Sequence, residues 1–77
     1  MKTDTLYVGN LDNSIDDEKL EKLFSQYGRV VKINKNLNND FGYVSMENDS
    51  QAKNAKESLD CTSLKGCIIR VIFSNTN

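Results

Sequence analysis

The stretch 41–46 reads FGYVSM, and its side chains alternate between an aliphatic series and an aromatic or polar series. Successive side chains of an extended strand point to opposite faces of a sheet. Val44 and Met46 therefore share one face, and Phe41 and Tyr43 share the other. This pattern predicts a strand that buries its aliphatic residues and presents two aromatic rings on the opposite face.

The flanking sequence supplies further strand and helix patterns. Residues 5–8, TLYV, alternate in the same way and end at Gly9, so Leu6 and Val8 face inward and Tyr7 faces outward. In chain order we predict strands at 5–8, 29–35, 41–46 and 68–73, helices at 15–27 and 49–59, a polar turn at 36–40 and a loop at 60–66.

Local signals define the helix ends. Asp16 and Asn48 are predicted N-caps, because their side chains can accept hydrogen bonds from the first free backbone N–H groups. Gln51 lies three residues after Asn48, which is the spacing of a capping box. Gly28 is a natural stop after the first helix.

The second and last strands are rich in aliphatic residues. Val30, Val31 and Ile33 lie at the centre of the second strand. In the last strand, Ile69, Val71 and Phe73 face the core, whereas Ile68, Arg70 and Ile72 face outward.

The element order is β-α-β-β-α-β within a single domain, residues 1–77, with a core at about 4–74. Right-handed crossovers place both helices on one side of a four-stranded antiparallel sheet, which is the ferredoxin-like α+β sandwich. The first and third strands are central neighbours in this topology. Tyr7, Phe41 and Tyr43 are therefore expected to cluster on the open face, where flat rings can stack against nucleobases. Arg70 and Lys32, on flanking strands, are placed to meet phosphates.

Composition excludes several functions. The chain has no histidine, so histidine-based catalysis and histidine-containing zinc sites are excluded. Cys61 and Cys67 lie six positions apart and are expected to be free thiols, because a four-ligand zinc site needs more ligands. No apolar run is long enough for a membrane span, and the start resembles no signal peptide. We therefore expect an intracellular protein, in cytoplasm or nucleus, with no cofactor and no metal.

The net charge of −1 is distributed unevenly. The strand-forming segments 1–11, 29–46 and 61–77 sum to +4, and the helical segments 12–28 and 47–60 sum to −5. This separation permits a polyanion on the sheet side but predicts weak electrostatic attraction.

Two motifs carry a family resemblance. Residues 6–11, LYVGNL, resemble the ribonucleoprotein hexamer of the RNA recognition motif family at every position. Residues 39–46, NDFGYVSM, resemble its octamer, with departures at Asn39, Asp40 and Met46. Within the family, the short turn before the octamer is similar to the first such domain of paraspeckle-type proteins. The stretch 46–49 is similar to small stand-alone bacterial members, and both alternatives remain open.

The resemblance implies binding of single-stranded RNA by stacking of bases on the open sheet face, with Tyr7, Phe41 and Tyr43 as the stacking residues. Asn39 replaces the basic residue that usually supplies a phosphate contact, and Asp40 beside it replaces a glycine. The predicted RNA-binding set is Tyr7, Phe41, Tyr43, Arg70, Asn10, Lys32, Asn34 and Ile72.

Two rival functions remain beside RNA binding. The first is a protein–protein interaction module on the same fold, with a partner on the helix face or at Ile72. The second is an enzyme, which the sequence disfavours because it offers no paired nucleophile and base. Single-stranded DNA is an alternative nucleic-acid partner, and the isolated domain is expected to be a monomer.

Overall fold

A computed structural model describes residues 4–35 and 40–74, so most of the predicted turn at 36–40 lies outside the described residues. The elements, in chain order, are β1 (Thr5–Gly9), α1 (Asp17–Phe24), β2 (Val30–Lys35), β3 (Gly42–Met46), α2 (Asp49–Leu59), β4 (Ser63–Leu64), β5 (Cys67–Ile68) and β6 (Arg70–Phe73).

The main sheet has the strand order β2-β3-β1-β6, and every neighbouring pair is antiparallel. β1 and β3 are the central pair, with Leu6 opposite Val44 and Tyr7 opposite Tyr43. β6 lies on the other side of β1, where Ile72 is opposite Tyr7. The predicted ferredoxin-like α+β sandwich is therefore confirmed.

The core lies between the sheet and the two helices. Alternate strand residues are fully buried there, including Leu6 and Val8 of β1 and Val44 and Met46 of β3. The helices contribute an apolar stripe to the same cluster, made of Leu20, Phe24, Ala52, Ala55 and Leu59. Because these helix residues pack on one side of the strands, the odd-numbered side chains of β1 and β3 are left on the opposite face. We call that surface the open face.

Both predicted N-caps are confirmed. The Asp16 carboxylate accepts a hydrogen bond from the Lys19 backbone N–H at 3.0 Å, and the Asn48 side-chain oxygen accepts one from Gln51 N–H at 2.9 Å. The Gln51 side-chain oxygen accepts a bond from the Arg29 N–H, which joins α2 to the start of β2.

The predicted range 15–27 for the first helix was too long. Ile15 precedes the cap and is buried in the core. At the other end, Tyr27 N–H bonds the Phe24 carbonyl three residues back, so the chain tightens into a turn after Phe24.

Val31 is not a core residue of β2. The register of β2 against β3 shifts between Val30 and Lys32, and the side chain of Val31 is 57% exposed. An extra residue in a strand interrupts the alternation of faces, so Val31 stays exposed although it lies near the centre of the predicted strand.

The segment predicted as a loop contains a small hairpin. Ser63 pairs with Ile68 and Leu64 pairs with Cys67 across a two-residue turn, Lys65-Gly66. Both turn residues have positive φ, 52° and 82°, as a type I′ turn requires. The hairpin takes Ile68, the first residue of the predicted strand 68–73, and the sheet strand β6 begins only at Arg70.

The two cysteines are free, as predicted, with Cys61 exposed and Cys67 half-buried at the start of β5. Within residues 4–35 and 40–74, neither helix is long and apolar enough to cross a membrane.

Candidate nucleic-acid interface

Three aromatic rings meet at the centre of the open face. The ring centroids of Tyr7 and Phe41 are 5.8 Å apart and their planes are 25° from parallel. Tyr43 meets both rings nearly edge-on, at centroid distances of 5.7 Å from Tyr7 and 6.2 Å from Phe41. We call Tyr7, Phe41 and Tyr43 the ring cluster. The clustering expected from strand alternation is thus present, although Phe41 lies just before β3 rather than inside it.

Gly9 allows the Tyr7 ring to lie against the sheet. A Cβ atom built on Gly9 would come within 2.8 Å of Tyr7 Cε1, which is closer than real Cβ atoms approach. A larger residue at position 9 would therefore lift the ring. The glycine of the LYVGNL stretch thus leaves room for the Tyr7 ring to lie over the strand.

The β2 side of the ring cluster is polar. Asn34 lies opposite Tyr43, and Lys32 lies opposite Ser45, so both predicted side chains are on the open face. Together with Thr5, these residues line a depression of about 220 Å³. We call this hollow, formed by Thr5, Lys32, Asn34, Tyr43 and Ser45, the Ser45 depression.

The β6 side carries Ile72 and Arg70. Ile72 is 42% exposed beside Tyr7. Arg70 lies opposite Gly9, and its Nε donates a hydrogen bond to Asp60 Oδ1 at 3.0 Å. The same oxygen accepts the backbone N–H of Val71 at 2.9 Å. Asp60 therefore fixes the edge of β6 and the position of the Arg70 guanidinium together.

These contacts shift two pKa values. The Val71 N–H is the largest cause that holds the pKa of Asp60 below its usual value, and Arg70 adds to this effect against the opposing influence of burial. The hydrogen bond to Asp60 in turn raises the pKa of Arg70. A guanidinium has five N–H donors. The bond to Asp60 uses the one on Nε, so the other four N–H groups of Arg70 take no part in this bond.

Asn10 lies at the end of β1 and has a clear structural contact. Its backbone is left-handed, with φ of 60°, and its side-chain amide donates to the Ile68 carbonyl at 2.7 Å. This bond ties the end of β1 to the β4–β5 hairpin. Asn10 is thus held at the edge of the open face, outside the ring cluster.

A model of the RNA recognition motif family matches residues 6–70. The chain belongs to the RNA recognition motif family. Of the three octamer departures, Asn39 lies outside the described residues. Asp40 is exposed next to Phe41, and Met46 is fully buried in the core. Methionine in place of the aromatic residue that ends the octamer therefore affects packing of the core and leaves the open face unchanged.

Curated relatives are longer proteins. Protein no-on-transient A of Drosophila littoralis is 41% identical over 69 residues, which cover 90% of this domain and 10% of that protein. The chloroplastic RNA-binding protein CP29B of Arabidopsis thaliana is 40% identical over 86% of this domain and 25% of its own length. Paraspeckle component 1 of Homo sapiens is 36% identical over 90% of this domain and 13% of its own length. The chain thus spans a quarter or less of these relatives.

Solved structures agree with the fold. The C. elegans NONO-1 homodimer superposes with a TM-score of 0.88 at 29% identity, over 95% of this chain and 30% of that chain. The domain of that family from S. pombe Puf1 superposes with a TM-score of 0.85 at 27% identity, over 92% of this chain and 88% of that chain.

The open face of this RNA recognition motif domain carries less positive charge than the sum over the strand-forming segments suggested. Lys35 lies opposite Gly42, is 8% exposed and follows the alternation away from the open face. Lys65 donates to Ser14 Oγ beside α1. Within residues 4–35 and 40–74, Lys32 and Arg70 are the cations that strand pairing places on this face.

Sequence reasoning missed three polar residues that shape the site. Thr5 and Ser45 share the open face by alternation, and their hydroxyl groups are hydrogen-bonded at 2.9 Å. The alternation of side chains in the two strands already predicted that Thr5 and Ser45 lie on the same face as Tyr7 and Tyr43. Asp60 had no such signal, because its contact with Arg70 depends on how the hairpin brings β6 back to the end of α2.

Proposed function

We propose that this domain binds single-stranded RNA without catalysis, by stacking unpaired bases on the ring cluster. The observation that carries the proposal is the arrangement of Tyr7, Phe41 and Tyr43 on a sheet face that neither helix covers. Exposed aromatic clusters are costly for a small domain unless they contact a partner. Aromatic faces accept any base, whereas a duplex hides its bases from such a surface.

Stacking energies give the expected affinity. Each base stacked on an aromatic ring contributes about 1–3 kcal/mol. Two or three stacks therefore supply roughly 2–9 kcal/mol before the cost of ordering the strand. A micromolar Kd corresponds to about 8 kcal/mol. We expect the isolated domain to bind in the micromolar range or more weakly, and to gain affinity when linked to another RNA-binding unit.

The remaining predicted residues surround the rings in supporting roles. We assign phosphate contacts to Lys32 and to the guanidinium of Arg70, and base-edge contacts to the side-chain amides of Asn34 and Asn10. Ile72 would extend the stacking surface beyond Tyr7, since it lies directly opposite on the neighbouring strand.

The relatives support an RNA partner at the level of the family. The names of two relatives given above place one in the chloroplast and another in paraspeckles. We propose an intracellular location and no membrane partner for this chain. We also propose that the isolated domain is monomeric, although the NONO-1 structure to which it is similar is a homodimer.

An NMR titration of the domain with a pool of short single-stranded RNAs tests the proposal. We expect amide shifts to centre on Tyr7, Phe41, Tyr43 and Arg70. The double substitution Tyr7→Ala with Phe41→Ala should abolish these shifts while the core amide resonances stay dispersed. Val31→Ala is the matched control, because Val31 is an exposed apolar residue that lines a hollow with Asp17 and Glu21 of α1, away from the ring cluster, and its loss should leave binding unchanged.

Three results would contradict the proposal or narrow it. Absence of shifts on the open face with any RNA, or unchanged binding by the double variant, would reject RNA stacking. Equal shifts with single-stranded DNA of the same sequences would show that the 2′-hydroxyl groups are not read.

A second candidate function is recognition of an acidic protein segment on the helix side. Between α1 and the β4–β5 hairpin lies a groove of about 320 Å³ with apolar walls from Ile15, Leu23 and Leu64 and with Lys19, Lys22 and Lys65 along it. Charge complementarity favours an acidic ligand there. Shifts confined to this groove on addition of an acidic peptide, with none on the open face with RNA, would favour this function.

A further inference from the structure

We propose that the groove between α1 and β2 is a docking site for a basic, arginine-containing segment of a partner protein. This groove runs along the border of the main sheet, outside the ring cluster. The inference goes beyond the proposed binding of RNA and does not depend on it, because the surface, the ligand and the recognising chemistry are all different.

The groove has one acidic wall and one aliphatic wall and encloses about 380 Å³. The two walls are formed by residues of α1 and of β2: Asp17, Glu18, Glu21, Val30, Val31 and Ile33. We call this hollow the border groove. Lys32 lines both this hollow and the Ser45 depression, so it stands at the rim shared with the open face. Three carboxylates and one ammonium give the border groove a net charge of −2.

Helix geometry gathers the three carboxylates in one row. Residues three and four positions apart share a helix face, so Glu21 lies beside both Asp17 and Glu18. The two first-turn residues also suit the positive end of the helix, but Glu21 lies beyond the first turn, where this effect has faded. Among residues 4–35 and 40–74, the ion pair found joins Arg70 to Asp60, so none of the three carboxylates is paired. Like charges at this spacing repel each other, and a cationic ligand would relieve that repulsion.

The aliphatic wall continues from the core to the surface. Val30 and Ile33 are partly buried and pack against the hydrophobic core. Val31 stands at the bulge between the paired positions Val30 and Lys32, with more than half of its surface exposed. It extends the aliphatic surface of its neighbours outward beside the acidic row. The border groove therefore offers apolar contact and negative charge to the same ligand.

Arginine suits both walls. Its planar guanidinium can donate two parallel hydrogen bonds to a carboxylate, and its methylene groups pack on aliphatic surface. The carboxylates repel the phosphates of RNA. Among the described residues, no group of three or more acidic or cysteine side chains is arranged to hold a metal ion. Lys19 and Lys22 line the groove on the opposite flank of α1, so charge directs a basic segment to the border groove.

Spacing favours an extended segment with arginine at alternate positions. An α-helix rises 1.5 Å per residue, so Asp17 and Glu21 are about 6 Å apart along α1. Alternate residues of an extended chain are about 6.6 Å apart and point the same way. Two arginines separated by one residue therefore match the row of carboxylates. The residue between them points to the aliphatic wall, where an aliphatic side chain fits best.

NMR titrations with two capped hexapeptides, in the absence of RNA, test the proposal. The peptide RLRLRL alternates arginine with leucine, and its partner carries citrulline in place of arginine, which keeps the shape and removes the charge. We expect RLRLRL to shift the amides of Glu21, Val31 and Ile33. The citrulline peptide should bind at least about tenfold more weakly, since it forms no ion pair with the acidic row.

Single substitutions locate the binding on the border groove. Glu21→Gln should raise the Kd for RLRLRL by up to about fivefold, as expected for loss of one exposed ion pair. Glu57→Gln removes an exposed carboxylate from α2 and is the matched control, with no change expected. Val31→Ala should also weaken the peptide. Lys32→Gln should strengthen it, because this change removes a positive charge from the rim, and a purely structural role for the groove would not produce that gain.

The outcomes separate this inference from the proposed function. Equal affinity for the two peptides, or an equal loss in Glu57→Gln and Glu21→Gln, would overturn the docking site, since either result shows attraction that is not located in the border groove. Shifts of the same amides with protein concentration alone would assign the groove to a second copy of the chain instead. If RLRLRL does not bind while RNA shifts the open face, docking is wrong and RNA stacking stands. The reverse result rejects RNA stacking alone.

Discussion

The two faces of the main sheet are made by the same strands, yet one face is buried against the helices and the other is open and carries aromatic rings. On the helix side, Leu6 and Val44 are fully buried and belong to the hydrophobic core. On the open face, their immediate neighbours Tyr7 and Tyr43 form the ring cluster and stay partly exposed. One residue along the chain separates a position that supports the fold from one that we assign to binding.

This difference teaches that stability and binding can be separated in this domain. Aliphatic burial on one face gains free energy from removal of apolar surface from water. The open face keeps large rings accessible, so we expect its contribution to stability to be smaller and its effect on the proposed RNA ligand to be larger. A substitution on the core face should therefore lower the free energy of unfolding and leave RNA affinity unchanged. A substitution of the adjacent open-face residue should lower RNA affinity and leave the free energy of unfolding nearly unchanged.

The largest effect is expected from Leu6→Ala. Removing a fully buried leucine side chain typically costs about 2–5 kcal/mol of unfolding free energy. A domain of 77 residues has a total of roughly 4–12 kcal/mol, so this loss is a large fraction. Urea denaturation measures it. The RNA affinity of the folded protein should match the wild type, and a large loss of affinity would show that the two faces are coupled.

Tyr7→Ala should produce the reverse result. Loss of one stacking ring is expected to weaken RNA binding by about 1–3 kcal/mol, or roughly 5- to 150-fold in Kd. Isothermal titration or fluorescence anisotropy measures the change. Tyr7→Phe keeps the ring and serves as the control, with nearly wild-type binding. If Tyr7→Ala destabilised the domain as much as Leu6→Ala, the proposed division between the faces would be wrong.

Salt dependence should be shallow. Each phosphate contact to a single strand contributes about −0.7 to the slope of log K against log salt. With two or three such contacts, binding should weaken by about tenfold between roughly 50 and 200 mM salt. Lys32→Gln should reduce the slope by about 0.7, and Lys53→Gln on α2 should not. A steep slope would reveal a basic surface beyond Lys32 and Arg70.

Asp60→Asn should have the smallest effect, about 1 kcal/mol of unfolding free energy, because one charge-assisted contact is weakened. The pKa of Asp60 is lowered in the folded protein, so its charged form stabilises the fold above the ordinary pKa of about 4. That contribution is lost as pH falls through the lowered pKa. The wild type should therefore lose more stability than Asp60→Asn below about pH 4. Identical acid unfolding of the two proteins would contradict this role.

Much of the fold and of the ring cluster could be predicted because the governing signals are local. The caps at Asp16 and Asn48 act within three residues, and strand alternation is a period-two property of each strand. The RNA recognition motif family follows from the LYVGNL and FGYV stretches. The role of the ring cluster in binding stays a prediction.

Other features depend on information that local patterns do not carry. The bulge at Val31 follows from the register between two strands, and it changes the face of one residue. The β4–β5 hairpin has only two residues in each strand, and Lys65 occupies a positive-φ position where asparagine or aspartate is the usual signal. The Ser45 depression requires three strands in register, and the Arg70–Asp60 ion pair joins elements that meet only after folding.

The bond between Asp60 and the Val71 N–H also bears on how this domain coexists with other copies of itself. β6 is an outer strand of the main sheet, and an outer strand with free backbone groups is a template for sheet extension between molecules. Asp60 occupies an outward donor of β6 and sets a negative charge beside it. At the opposite border, the bulge at Val31 breaks the regular spacing of β2. Both borders thus resist edge-to-edge aggregation, which a domain with an exposed aromatic surface needs in order to stay dispersed.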